Sequence, residues 1–150
     1  MTPIMGAGVN GPLAARPPIK LALRAESDVA AARMAARALG RSLELSDASA
    51  TRFATAVSEV GRNAVIHAGG GSLAFTLENR GRSAWLTATV TDAGPGIPDV
   101  DAALRPGSPS ANGTGLGLSR ARRLVDDLRI TSSPGTGTEV ELSMPRGGES

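Results

Sequence analysis

Hydrophobic and polar residues alternate along five stretches of this chain, and in three other stretches apolar residues recur every three or four positions. Alternation is typical of a strand with one buried face, and the longer spacing is typical of an amphipathic helix. The predicted strands are 19–25, 72–78, 84–91, 130–133 and 138–144. The predicted helices run from Ser27 or Asp28 to Leu39, from Ser46 or Asp47 to His67, and from Gly117 to Leu128.

Glycines and small polar residues mark the predicted ends of the helices. Serine or aspartate can cap the first two helices, Gly40 is predicted to stop the first, and the three glycines at 69–71 the second. The second helix carries one apolar stripe that should face a sheet, formed by Phe53, Val57, Val60 and Ala64. The third helix is predicted to bury Leu118, Ala121, Val125 and Leu128 and to expose Arg120, Arg123 and Asp127.

The order of these elements predicts the fold class. Consecutive strands are joined by short turns at 79–82 and 134–137, which favours antiparallel pairing. We therefore expect an α+β layer, with helices on one face of a mixed, mostly antiparallel sheet. Residues 98–112 are rich in proline and glycine, which predicts a mobile surface segment with at most one helical turn near 100–104.

Composition narrows the class of protein. The 150 residues suit one domain, predicted at 19–146 after a flexible tail at 1–18. The absence of cysteine excludes disulfides and thiol chemistry. A net charge of +2 and only three aromatic residues, one Trp and two Phe, argue against a nucleic-acid partner. No apolar run approaches the roughly 20 residues of a membrane span, and 1–18 lacks signal-peptide features, so we expect a cytoplasmic protein with no membrane association.

Candidate chemistry first appears on the second predicted helix. Glu59 and Asn63 are four residues apart, so their side chains lie on neighbouring turns of one face. An amide oxygen is a hard ligand that Mg²⁺ accepts while it binds phosphates, and a carboxylate can take the proton of an attacking hydroxyl. The simpler alternative is that both are surface residues of an amphipathic helix. His67 continues this stripe, and we assign it no chemistry.

A second candidate is Asp92, in the stretch Thr91-Asp-Ala-Gly-Pro-Gly96. The alternating run before it places Asp92 at the end of a strand, and Gly94 and Gly96 predict a tight turn. A carboxylate there can accept a hydrogen bond from an exocyclic amine such as that of adenine, because glycines let the backbone come close. The alternative is an ordinary turn aspartate.

A third candidate is the glycine-rich run Gly113-Thr114-Gly115-Leu116-Gly117, which precedes the last helix. Its backbone N–H groups and the helix N-terminus can bind phosphates. No strand immediately precedes it, so it does not fit the dinucleotide-binding fingerprint, and it lacks the lysine of a Walker loop. A flexible loop is the alternative. Thr138, after Gly135-Thr-Gly137, is a further candidate or simply the first residue of a strand.

In this order, the three stretches resemble the motifs of the Bergerat-fold (GHKL) ATP-binding superfamily over residues of about 19–144. The resemblance implies a site for ATP and Mg²⁺. In it Asp92 binds the adenine amine, Gly94 and Gly96 shape the pocket, and Asn63 binds the metal. It further implies that Glu59 is the catalytic base near the γ-phosphate, that 113–117 form a lid over the phosphates, and that Thr138 lies beside the adenine.

The chain length narrows the resemblance within that superfamily. Histidine kinases and the larger ATPases carry this site inside longer chains, whereas a stand-alone domain is similar to the RsbT-type stressosome serine/threonine kinases and the anti-sigma-factor kinases. The RsbT type is favoured by the stretches 58–63, 68–70, 92–99, 115–118 and 123–127. That resemblance implies transfer of the ATP γ-phosphate to a serine or threonine of a STAS-domain partner in a bacterial partner-switching pathway, with a phosphatase as a second partner.

Two alternative functions stay open at this point. One is an anti-sigma factor of the RsbW or SpoIIAB type, which shares the kinase site and also sequesters a sigma factor. The other is a non-catalytic module that binds a partner only when ATP is present. The motifs do not distinguish them, because partner surfaces lie outside the motifs, and they leave open whether the protein is a homodimer.

Overall fold

A computed structural model describes residues 18–105 and 114–146, and the folded chain contains five strands and four helices within these ranges. The strands are β1 (Ile19–Leu23), β2 (Gly71–Arg80), β3 (Ser83–Asp92), β4 (Asp127–Ser133) and β5 (Gly137–Pro145). The helices are α1 (Glu26–Ser42), α2 (Asp47–Ala68), α3 (Val100–Leu104) and α4 (Thr114–Leu124). Except for Pro18, the predicted tail lies outside the described residues, as do residues 106–113.

The five strands form one sheet in the order β1-β2-β3-β5-β4, and all four pairings between the described strands are antiparallel. Leu73 of β2 pairs with Val90 of β3, which pairs in turn with Val140 of β5. All three are buried, so the apolar positions of neighbouring strands lie in register on one face. The α+β fold expected from the sequence is confirmed.

Helix α2 provides the layer that covers this face. Its predicted apolar stripe is buried throughout, from Phe53 through Val57 and Val60 to Ala64. Ser46 caps the first turn, because its side chain accepts a hydrogen bond from the backbone N–H of Ser49 at 3.0 Å. The burial of one stripe against the sheet leaves the neighbouring stripe of α2 free to face α4 and a cavity.

The predicted ends of α1 are wrong by a few residues, for reasons that lie outside the helix. Gly40 does not stop the helix, which continues to Ser42. A Cβ at position 40 would lie 3.1 Å from the Cβ of Ala50, so this glycine allows α1 and α2 to pack closely. Asp28 lies in the first turn rather than at the cap, and its carboxylate accepts the backbone N–H groups of Arg24 and Ala25 at 2.8 and 3.2 Å.

The predicted end of the last helix is also wrong. Helix α4 ends at Leu124, and Asp127 and Leu128 belong to β4, in which Leu128 pairs with Leu142. Asp127 is half-buried and accepts a hydrogen bond from Arg80 at 3.0 Å, instead of being exposed on a helix. The strand is preferred over the helical pattern because it places Leu128 opposite the buried Leu142 of β5. Within 18–105 and 114–146, no helix combines the length and the apolar character that a membrane crossing needs.

Candidate functional site

A cavity of about 480 Å³ lies between α2, the ends of β3 and β5, the loop after β3, α3 and α4. This is within the size range of sites for small ligands and cofactors. Its walls are mainly apolar, from side chains such as Val60, Ala64, Val90 and Leu118. Three of the predicted site residues also line it, namely Asn63, Asp92 and Thr138, together with the predicted glycine Gly96. A mainly apolar cavity with a few polar groups suits a planar ring that carries a hydrogen-bond donor.

Asp92 is one of two aspartates that line this cavity. It is the last residue of β3 and pairs with Thr138 of β5. One carboxylate oxygen, Oδ1, accepts a hydrogen bond from the backbone N–H of Gly94 at 2.9 Å. The other oxygen, Oδ2, has no hydrogen-bond partner among the residues that the structure describes. The turn therefore fixes the carboxylate and leaves one oxygen available to a donor in the cavity.

The two glycines after Asp92 are required by close contacts. A Cβ at Gly94 would lie 2.5 Å from the Cβ of Ala68, at the end of α2. Gly96 has a φ of +84°, in the left-handed region, and a Cβ there would lie 2.5 Å from the carbonyl oxygen of Ser133. These glycines bring the loop after β3 against α2 on one side and against the β4–β5 hairpin on the other.

Asn63 lies where α2 and α4 meet. A Cβ at Gly117 would be 2.9 Å from Nδ2 and 3.2 Å from Oδ1 of Asn63. Because glycine has no side chain, the start of α4 can pack directly against the Asn63 amide. One turn further along α4, Arg120 contacts Glu59, one turn earlier on α2. The two helices therefore run in opposite directions here, and the glycine-rich segment lies directly beside Asn63.

Glu59 is not part of the cavity lining. It lies one turn before Asn63, in the groove between α2 and α4, with a side chain that is 18% exposed. Its Oε1 accepts a hydrogen bond from Nη2 of Arg120 at 3.1 Å. A carboxylate in this position can act on a group at the Asn63 end of the cavity, but not on one at the Asp92 end.

The predicted glycine-rich segment at 113–117 is only partly described. Gly113 lies outside the described residues. Residues Thr114, Gly115 and Leu116 form the first turn of α4, and their backbone alone is described. This helix start adjoins Asn63 through Gly117, so the N–H groups of its first turn lie near the amide.

The cavity is also lined by two residues that were not predicted as site residues. His67 lines it one turn after Asn63, and Asp99 lines it from the loop before α3. The four-residue spacing had placed His67 on the stripe of Glu59 and Asn63, but it gave no reason to assign chemistry to it. Asp99 had no such signal, because its place depends on the path of the loop after β3. The Asp99 carboxylate caps α3 by accepting the backbone N–H of Ala102 at 3.0 Å.

Ser132 is a second position that the sequence patterns did not indicate. Its hydroxyl accepts a hydrogen bond from the backbone N–H of Ile97 at 2.7 Å and lies 3.0 Å from the hydroxyl of Thr138. It also lies 3.2 Å from the carbonyl oxygen of Gly137, to which it can donate. Ser132 thus ties the loop after β3 to the strand that carries Thr138.

Substitution of Ser132 by alanine is expected to destabilise the protein by about 1–3 kcal/mol, because the N–H of Ile97 loses its acceptor in a part-buried place. Urea denaturation measures this change. Ser133→Ala is the matched control, since that side chain is exposed on the neighbouring position. Equal midpoints for the two variants would contradict a linking role for Ser132.

The residues at the Asn63 end fit a magnesium ion that is held mainly by phosphates. Within 18–105 and 114–146, no group of three or more histidines, cysteines or acids could hold a metal on its own. Mg²⁺ commonly keeps several waters and uses one or two protein oxygens together with substrate phosphates. The Asn63 amide oxygen could be the protein ligand, and the N–H groups of the nearby helix start could bind the phosphates.

Comparison with protein families finds a match over residues 21–144 to the model of the histidine kinase-like ATPase domain. Among characterised proteins, the chain is 34% identical over 117 residues to the serine/threonine-protein kinase RsbT of Bacillus subtilis (strain 168), covering 77% of this chain and 87% of that protein. It is also 34% identical over 117 residues to the anti-sigma F factor of Pasteuria penetrans, covering 74% of this chain and 78% of that protein.

A solved structure shares the fold. The mycobacterial sensor histidine kinase MprB superimposes with a TM-score of 0.51 at 24% sequence identity, covering 67% of this chain and 74% of that one. At this identity the likeness concerns the arrangement of strands and helices alone.

Proposed function

Because the chain belongs to the family of histidine kinase-like ATPase domains, the GHKL superfamily, we propose that it is a serine/threonine protein kinase. In this proposal it transfers the γ-phosphate of ATP to a STAS-domain protein in a partner-switching pathway. Similarity to RsbT, which is named a serine/threonine-protein kinase, supports the reaction type. The STAS-domain partner is proposed from the resemblance of the motifs.

One observation carries the proposal. Asp92 and Asn63 line the same cavity, with Asn63 beside the start of α4 and Glu59 one helical turn away from Asn63. The structure describes no residue that pairs with Oδ2 of Asp92. An adenine amine at Asp92 would place the triphosphate toward Asn63 and the first turn of α4. The γ-phosphate would then lie at the end of the site nearest to Glu59.

The proposed reaction is a single phosphoryl transfer. The oxygen of a serine or threonine hydroxyl attacks the γ-phosphorus, and the bond from that phosphorus to the bridging β–γ oxygen breaks, which releases ADP. Glu59 accepts the hydroxyl proton, since its Oε2 has no partner among the described residues. Mg²⁺, when bound, neutralises charge on the β- and γ-phosphate oxygens. Asn63 would hold the metal, and the N–H groups of 113–117 would hold the phosphates.

Transfer of label from [γ-³²P]ATP tests the proposal. The protein is incubated with Mg²⁺ and a purified STAS-domain protein encoded beside it, and phosphorylated residues are identified by mass spectrometry. We expect stoichiometric label on one serine or threonine. Isothermal titration with ATP and Mg²⁺ on the same preparation is the companion measurement. Absence of binding by folded protein would overturn the ATP site and the kinase together.

An anti-sigma factor is the second candidate, and the similarity to anti-sigma F factors favours it. This function does not exclude the kinase reaction, because both use the same ATP site in the proposal. Purification of the protein with ATP, and separately with ADP, after co-expression with a sigma factor would distinguish the two. Stable co-purification of the sigma factor would support this function, and its absence alongside STAS phosphorylation would leave the kinase alone.

A non-catalytic module is the third candidate. It predicts that ATP binds, that a partner is recruited only when ATP is present, and that no label reaches the partner. Size-exclusion chromatography with light scattering on the same samples would also establish whether the protein is a homodimer.

A further inference from the structure

We propose that Arg120 is a positioning residue for Glu59, which couples the start of α4 to the orientation of the catalytic base. This inference rests on the kinase function proposed above. It concerns a residue that the ATP-site motifs do not include, since Arg120 lies three residues beyond the last glycine of 113–117.

The first support is the geometry of the contact. Nη2 of Arg120 on α4 donates a hydrogen bond to Oε1 of Glu59 on α2 at 3.1 Å, and the two residues are 61 positions apart in sequence. The Glu59 side chain is 18% exposed, whereas that of Arg120 is 48% exposed. Because the guanidinium holds Oε1, the Glu59 side chain loses rotamer freedom and Oε2 is left to accept a proton.

The second support is electrostatic. A charged donor makes a stronger hydrogen bond than a neutral one, so the guanidinium fixes the mostly covered Glu59 carboxylate more firmly than a neutral donor would. An ion pair between two fully exposed side chains would contribute little, whereas here the acid is mostly covered and the arginine is half exposed. Arginine suits this task better than lysine because its planar guanidinium donates in a fixed direction.

The third support is the place of Arg120 in the helix packing. Gly117 rests on Asn63, and one turn later Arg120 holds Glu59, so two contacts join α4 to the two site residues of α2. The glycine-rich segment that would bind phosphates leads directly into this part of α4. Nucleotide that fixes the start of α4 would therefore also fix Arg120, and through it Glu59.

The fourth support is that the neighbouring arginines do not share this contact. Arg122 and Arg123 of the same helix are exposed, and neither forms an ion pair with an acid in the part of the chain that the structure describes. Arg123→Ala therefore removes the same side chain from the same helix without touching Glu59, which makes it a matched control.

The test compares single-turnover phosphoryl transfer and ATP affinity for Arg120→Ala, Arg120→Lys and Arg123→Ala. We expect Arg120→Ala to lower the transfer rate about 10-fold, the lower end for a hydrogen bond to a charged group because Arg120 is half exposed. ATP affinity should stay within about 2-fold of the wild type, and lysine should restore part of the rate. In a Glu59→Gln background, Arg120→Ala should cause less than about a 2-fold further loss, since the two residues act as a unit.

An NMR comparison keeps the inference separate from the kinase proposal. With ¹³C-labelled glutamate, the carboxyl signal of Glu59 is assigned by its disappearance in Glu59→Gln. Arg120→Ala should shift or broaden that signal, and Arg123→Ala should leave it unchanged. No transfer by the wild-type protein would overturn the kinase function, while the Glu59 signal would still decide whether Arg120 orients this side chain. The inference would be overturned if the Glu59 carboxyl signal were the same in Arg120→Ala as in the wild type, or if Arg120→Ala transferred phosphate faster than the wild type.

Discussion

Replacement of Asp92 by alanine is expected to weaken ATP binding by about 100-fold, since a hydrogen bond to a charged group in a part-buried site contributes about 1.5–3 kcal/mol. The reason is that Asp92 lines the cavity, and its Oδ2 has no hydrogen-bond partner among residues 18–105 and 114–146 while Oδ1 accepts the N–H of Gly94. Isothermal titration calorimetry with ATP and Mg²⁺ measures the change. An unaltered dissociation constant would show that the adenine does not bind at Asp92.

Asp92→Asn separates binding from folding. The asparagine oxygen can still accept the N–H of Gly94, so the turn after β3 is kept, but the second oxygen becomes an NH₂ group. That group is a donor and cannot pair with the adenine amine, so ATP binding should fall while the urea denaturation midpoint stays near that of the wild type.

Inosine triphosphate tests the same contact from the ligand side. It has a carbonyl oxygen in place of the adenine amine, so its affinity for Asp92→Asn relative to that of ATP should rise. Asp101→Ala, which removes an exposed acid of α3 that does not line the cavity, is the control.

Replacement of Glu59 by alanine or glutamine is expected to lower phosphoryl transfer about 100-fold or more, the usual contribution of a general base. ATP affinity should change less than about 2-fold, because Glu59 does not line the cavity that holds the purine. Single-turnover transfer to the STAS-domain partner measures the rate, and calorimetry measures the affinity. Glutamine keeps an oxygen that can accept the hydrogen bond from Arg120, so its effect reports the loss of the base rather than the loss of that contact.

Glu26→Gln is the matched control for this experiment. Glu26 also pairs with an arginine, Arg62 at 3.4 Å, but the pair is exposed and lies at the start of α1. Its removal should leave transfer unchanged. Transfer at the wild-type rate by Glu59→Gln would exclude Glu59 as the base, while normal ATP binding would leave the nucleotide site intact.

The elements of the fold were predictable where the signal was local. All five predicted strands occur, with ends that differ by up to three residues. Strand β1 ends at Leu23 instead of 25, β4 begins at Asp127 instead of 130, and β2 and β3 extend to Arg80 and Asp92. Alternation over a few residues is enough to identify a half-buried strand, because each strand satisfies the period of two by itself. Helix α2 was predictable for the same reason, with Ser46 at its start and Gly69, whose φ is +76°, after its end.

Errors arose where a distant partner changed the outcome. The local sequence predicts that Gly40 ends the helix, but in the structure Gly40 lies within α1 and packs against Ala50. Residues 127 and 128 continue the apolar pattern of α4, but pairing with β5 draws them into β4. In both places the competing contact comes from residues that the local pattern does not include.

The candidate site residues could be identified from local sequence patterns, namely the spacing of Glu59 and Asn63 and the glycines after Asp92. One turn of helix or one tight turn is enough to show that such side chains lie close together. The arrangement of these residues in one site could not be predicted without the tertiary structure. Asp92 and Asn63 line one cavity because α2 packs over the end of the sheet where β3 and β5 pair. The contacts of Arg120 with Glu59 and of Ser132 with Ile97 join residues 61 and 35 positions apart. Hydrogen bonds of this kind depend on distances of about 3 Å between elements, and no periodicity within one element encodes them.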